Sequence, residues 1–385
     1  MHFFLLFLIS VLNYGNANEK GRKDGICKMN EKNEGARLAR TEEGRGALIF
    51  DRPPRILSAA SVVGKTEREG PLGTCFDLSD DTDRFGQKTW EKAESEMQRR
   101  ALAMALGKGG LRDCDLDVMF AGDLLNQCVG SAYGLLSYDV PYFGLYGACS
   151  TCAEGMMLAA MGVNAGYFRT AAAVTSSHYC SAERQYRTPI EYGGQRSPTA
   201  QWTVTGAGAF VLSSVEGSEG GTSPFSKVFI YGGMPGIVME KGIRDASNMG
   251  AAMAPAVIST LMRWFRATGS EPRDYDLIVS GDLGCEGAAI VRELLLAEYG
   301  VSEDRRYNDC GCMIYAGEEQ DKHAGGSGCG CSAVVTAGWI LPRMESGALR
   351  RVLLIGSGAM MSPASIQQGE AIPAVGHLVA LEGRE

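Results

Sequence analysis

The sequence predicts an α/β protein made of two copies of one unit, stacked as a layered αβαβα sandwich with mostly parallel sheets. Three observations predict it. Residues 117–124 and 276–283 share the form Asp, three apolar residues, a small residue, then Gly-Asp-Leu, so one strand and its loop occur twice. Around each copy, apolar runs of strand length alternate with helical runs in the same order. Two helical runs, 153–165 and 332–340, are apolar nearly all round, as helices buried between two sheets must be. The halves are expected at 46–220 and 221–385.

The body begins near Gly46 with apolar runs at 47–50 and 56–63, split by Pro53-Pro54. A glycine-rich stretch, 67–87, reads as a loop too polar for the core. Helical spacing of Trp90, Ala93, Met97, Ala101 and Ala105 predicts a helix over 89–108. The strand at 117–121 leads to Asp123, Asn126 and Gln127. An aromatic strand, 141–146, then runs into Gly147-Ala148-Cys149-Ser150 and the apolar helix. In the second half the order recurs. It has a helix at 251–268, the strand at 276–280, the glycine-rich loop 325–331 opening the helix at 332–340, and strands at 352–355 and 376–381. These last two match 171–175 and 205–213 in the first half.

Composition narrows the function. The chain has 385 residues and a net charge of −8, with no block of Lys or Arg, which argues against a nucleic-acid surface. Twelve cysteines, several close together, suit reduced thiols better than a disulfide scaffold in a chain of this size. The later pairs are C-x-C rather than the paired C-x-x-C of zinc ribbons, so no metal is expected. Residues 1–45 differ from the rest. The apolar run 3–12 is too short to span a bilayer, and the polar run 18–45 is expected to be disordered. A signal, an anchor and a mis-assigned start all stay open for this extension.

Cys149 is the leading candidate residue. A cysteine on a strand-to-helix turn meets free amides and the positive end of the helix dipole, which favour a thiolate. The alternative is a small buried residue that only packs. His178 lies in a post-strand loop, where ligand groups concentrate, although a lone histidine is more often structural. Arg184 and Arg187 belong to a charged run that is either a solvated face or an anion site. Asp123, Asn126 and Gln127 follow the repeated strand toward the same crevice, and Asp123 serves equally well as a helix cap.

A duplicated α/β unit with strand–GACS–helix in its first copy and TGAGAFVLS at 205–213 resembles the thiolase superfamily, near the initiating ketoacyl synthases. Within it, GPLGTCFD (70–77), AGDLLNQ (121–127), FGLYGACST (143–151), TSSHYCSAERQYRTPIEYGGQ (175–195), AGGSGCGCSAVVT (324–336) and SPASIQQGEAIP (362–373) resemble the stage V sporulation AD family. The resemblance places Cys149 at the condensing-enzyme nucleophile. Those enzymes also use a histidine in the loop after the strand matched by 276–280, where this chain has Gly281-Asp282-Leu283. Their second polar helper falls in the loop 325–331, which supplies Ser327, with His323 just upstream. A missing oxyanion donor costs about two to three orders of magnitude in rate. The resemblance therefore implies a binding pocket for dipicolinic acid, free or as its calcium chelate, without a cofactor. It implies partnership with spore membrane transport proteins, a homodimer, and a place in the developing spore, in the cytoplasm or at the inner membrane. An acyltransferase using Cys149 with a rearranged helper such as His323 or His178, and a structural partner in a membrane-associated complex whose pocket is a relic, are the other readings.

Overall fold

A computed structural model describes residues 37–38, 46–186, 197–214, 225, 227–299 and 306–384. The described body falls within one compact unit, Gly35–Glu385. Its first half carries strands β1 (Arg55–Val63), β2 (Val118–Gly122), β3 (Tyr142–Leu145), β4 (Thr170–Ser177) and β5 (Gly206–Ser213). Its second half carries β6 (Val228–Met234), β7 (Leu277–Ser280), β8 (Tyr307–Asp309), β9 (Arg351–Ala359) and β10 (Ala374–Gly383).

The two halves are built alike. In space the first runs β3-β2-β4-β5-β1 and the second β8-β7-β9-β10-β6. In each, the strand carrying Gly-Asp-Leu pairs in parallel with both neighbours. The fifth strand of each half runs antiparallel to the two beside it. Four strands of five therefore share a direction. The halves join where Phe229 of β6 pairs with Arg55 of β1.

Helices make the remaining layers. α1 (Trp90–Gly109) covers one face of the first half, with the Thr89 hydroxyl capping it by accepting from the Lys92 amide at 3.3 Å. α2 (Thr151–Asn164) touches β2 and β4 on one side and β9 and β10 on the other, so it lies between the sheets. Its all-round apolar surface has this cause. α3 is Tyr179–Tyr186, and α4 (Met249–Thr268) packs with α5 (Gly284–Tyr299) on the outside of the second half. After the short α6 (Cys310–Ile314), α7 (Cys329–Val335) lies against β1, β4 and β5 beside α2, and its chain runs on through one π turn, Thr336–Ile340. A last short helix, α8 (Pro363–Gln367), follows β9. The layers read α1, sheet, α2 with α7, sheet, α4 with α5.

The stretch 67–87 departs from its expected loop character. Glu67, Leu72 and Phe85 are buried, and Glu67 accepts hydrogen bonds from the Thr205 amide at 3.0 Å and the Tyr315 hydroxyl. Burial pushes the Glu67 carboxyl up to about 7. Among the described residues no helix is long and apolar enough to cross a membrane.

Candidate functional site

Gly147 to Thr151 form the elbow that presents Cys149. The chain leaves β3, turns through a single 3-10 turn (Ala148–Ser150) and enters α2. Ser150 and Thr151 pin the turn, their hydroxyls donating to the Gly147 and Ala148 carbonyls at 2.7 Å each. Ala148 sits at φ +51°, a left-handed conformation that costs a non-glycine residue energy. Opposite the elbow, Gly326–Ser327 pairs in parallel with Trp202–Thr203, tying the 325–331 loop to the first half. Gly328 there has φ +103°, and a Cβ on it would meet the Ser177 hydroxyl at 2.6 Å, so the position requires glycine.

An open crevice, about 760 Å³ of space with its solvent-filled mouth included, lies between these parts. Cys149 and Ser327 both line it. Its apolar walls include Leu124, Ala182, Met249 and Ile366, and its hydroxyls come from Tyr186, Thr203, Ser327 and Ser362. Glu183 is the one charged side chain among the described lining residues. Cys149 is 7% exposed and clusters with Leu124, Ala182 and Cys329.

Electrostatics at the elbow differ from the expected thiolate. Burial raises the Cys149 thiol well above its ordinary value, and the Asp282 carboxyl adds to the rise. The amides of Gly328 and of Cys149 itself act the other way but do not prevail. Asp282, from the loop after β7, is fully buried. Burial first, then the charge of Asp309, raises its carboxyl well above the carboxylate range. It accepts from the Ser357 amide and hydroxyl at 2.9 and 3.1 Å through Oδ2, while Oδ1 has no partner. At neutral pH Cys149 is therefore a thiol. Iodoacetamide is accordingly expected to label the exposed Cys114 well before Cys149, which timed alkylation with peptide mapping checks.

The other anticipated residues are placed elsewhere. His178 is buried: its Nδ1 accepts from the Cys180 amide at 3.1 Å, so Nε2 carries the proton and donates to the Asp83 carbonyl at 2.8 Å. Both ring nitrogens are used, and burial lowers its pKa. Asp123 holds the chain after β2, accepting from the Leu125 and Ser131 amides at 2.8 and 2.7 Å, which is its capping alternative. Arg184 pairs with Glu91, and His323 with Asp321 at 3.1 Å on the exposed surface. None of these four lines the crevice. Asn126 and Gln127 are exposed, and Asn126 reaches the rim through Tyr146, whose hydroxyl donates to it at 3.0 Å and lies 3.4 Å from that of Tyr186. Arg187 lies outside the described residues. Missing from the anticipated set were Tyr186, Thr203 and the 359–366 wall; the stretch SPASIQQGEAIP was the signal available for the last.

Residues 44–382 match the family described as stage V sporulation protein AD. The chain belongs to that family. The stage V sporulation protein AD of Bacillus subtilis (strain 168) is 41% identical over 339 residues, 88% of this chain and 97% of that protein. Among solved structures, 3-oxoacyl-[acyl-carrier-protein] synthase III from Aquifex aeolicus is similar with a TM-score of 0.52 and 13% identity, covering 86% of this chain and 99% of that one. Cerulenin-bound OleA from Xanthomonas has the same TM-score, with 14% identity and coverage of 87% and 97%. At such identities these two establish the fold, that of the thiolase-like ketosynthases, and leave the chemistry to the site. This member of the sporulation family thus carries a strand-to-helix cysteine elbow on that fold, with Asp282 in the loop after β7.

Proposed function

We propose that the crevice is a non-catalytic pocket for dipicolinic acid, serving uptake of this small aromatic dicarboxylate into the developing spore. One observation carries the reading: the cysteine at the nucleophile position is a buried thiol with no histidine, lysine or arginine among the described lining residues. A nucleophile needs a base or a depressed pKa, and among the described residues this one has neither. A flat ring fits apolar walls studded with hydroxyls. A dianion also needs a positive partner, and the sequence supplies Arg187 directly after the crevice residue Tyr186. Purified protein is expected to give no acyl transfer from acyl-CoA and no malonyl decarboxylation above background in a radiolabel assay. An acyl-Cys149 adduct that turns over with a second substrate would favour the acyltransferase reading instead. That reading draws on the Gly328 amide near the Cys149 sulfur, where an oxyanion would be held.

The partnership extends to a second copy of the chain. β3 ends its sheet, and Tyr142, Phe143 and Tyr146 on or beside it are 38, 55 and 46% exposed, with Tyr133 and Leu136 still more open nearby. An unprotected aromatic edge strand is suited to pairing with its own copy. Sedimentation is expected to show a dimer that Tyr133→Lys with Leu136→Lys converts to monomer. A monomeric wild type would refute the pairing. We place the protein in the cytoplasm or at the periphery of the spore inner membrane, acting with membrane transport proteins.

A further inference from the structure

Away from the crevice, two cysteines meet where α5 and α6 begin. Asp309 draws these helix starts together. One carboxylate oxygen accepts from the Gly284 and Gly311 amides at 2.9 and 2.8 Å, and the other from the Leu283 amide at 2.9 Å. Cys285, the second residue of α5, and Cys312, the third of α6, each follow directly on a glycine held this way, and each thiol is the strongest influence on the other. Both are partly exposed. The Cys149 and Cys329 thiols also adjoin, but both are buried.

We infer that Cys285 and Cys312 form a peroxide-responsive dithiol that closes reversibly to a disulfide. Cys285 is the attacking residue. It lies in the first turn of a sixteen-residue helix, and the charge of the Arg292 guanidinium favours its thiolate. The contact with Cys312 is the largest cause lowering the Cys285 thiol, and the same contact raises that of Cys312. In the first step the Cys285 thiolate attacks one oxygen of hydrogen peroxide, the O–O bond breaks and hydroxide leaves, giving a sulfenic acid. Cys312 sulfur then attacks Cys285 sulfur, the S–O bond breaks, and the departing hydroxyl takes the Cys312 proton as water. Two thiols and one peroxide become one disulfide and two waters. The bridge would fasten the 281–285 loop, which carries Asp282 behind Cys149, to α6.

The test uses the full chain, reduced, desalted and treated with hydrogen peroxide, then alkylated and mapped by mass spectrometry. The expected result is loss of both alkylatable thiols, a linked pair of peptides lighter by two hydrogens, and recovery of both thiols with dithiothreitol. Cys312→Ser is expected to stop at a sulfenic acid that dimedone traps on Cys285, and Cys285→Ser to leave Cys312 alkylatable. Recovery of both thiols after peroxide in wild type would overturn the inference. So would dimedone labelling of Cys312 rather than Cys285, or oxidation confined to Cys114 or to the Cys149 cluster. The wild-type outcome decides the matter without relying on any variant to fold.

Discussion

Asp309→Ala is expected to destabilise the fold by about 3–5 kcal/mol, the range for breaking a buried, fully hydrogen-bonded charged group. Asp309 is inaccessible, and its carboxylate accepts from three backbone amides and the Ser280 hydroxyl, the last at 2.6 Å. Burial pushes its pKa up to about 6, so it is mainly ionised at neutral pH. Because the Ser280 proton goes to that carboxylate, the Tyr307 hydroxyl at 2.7 Å must donate to Ser280. Alanine would leave this chain of donors without its acceptor and release the starts of α5 and α6. Asp309→Asn keeps one oxygen for the Gly284 and Gly311 amides but sets an NH₂ group against the Leu283 amide. It should fall between wild type and alanine. Urea unfolding of the three proteins measures this order, and equal stability of alanine and wild type would contradict it.

Much of the architecture was legible because its signals are local. Two Gly-Asp-Leu strands, an apolar helix after GACS and alternation of run lengths depend only on neighbouring residues. The structure finds these elements within a few residues of the expected bounds. Glu67 was illegible because its partners, Thr205 and Tyr315, are distant in sequence. A carboxylate among glycines and aspartates reads as solvent-facing until those donors arrive. The Cys149 thiolate failed for a related reason. Position at a helix start is visible in sequence, while burial against Leu124, Ala182 and Cys329 comes only from tertiary packing, and burial is the larger effect. His178 and Arg184 likewise have polar side chains of the right type for a ligand, spent on Asp83, Cys180 and Glu91.

The central claim is that dipicolinic acid occupies the crevice, and calorimetric titration of wild type beside Ala246→Trp and Arg187→Ala tests it most directly. Ala246 lines the crevice from a partly exposed position, so a larger side chain there fills the space without entering the core. The tryptophan variant is expected to lose at least about tenfold in affinity, about 1.4 kcal/mol. Arg187→Ala, which removes the proposed cationic partner of one carboxylate, is expected to bind more weakly still, by roughly 2–5 kcal/mol. Circular dichroism confirms that each variant is folded before its heat is read. Wild type is expected to bind dipicolinate saturably at or below millimolar concentration, and both variants to bind it more weakly. No binding heat from wild type at millimolar dipicolinate, or an affinity unchanged by Ala246→Trp, would contradict it.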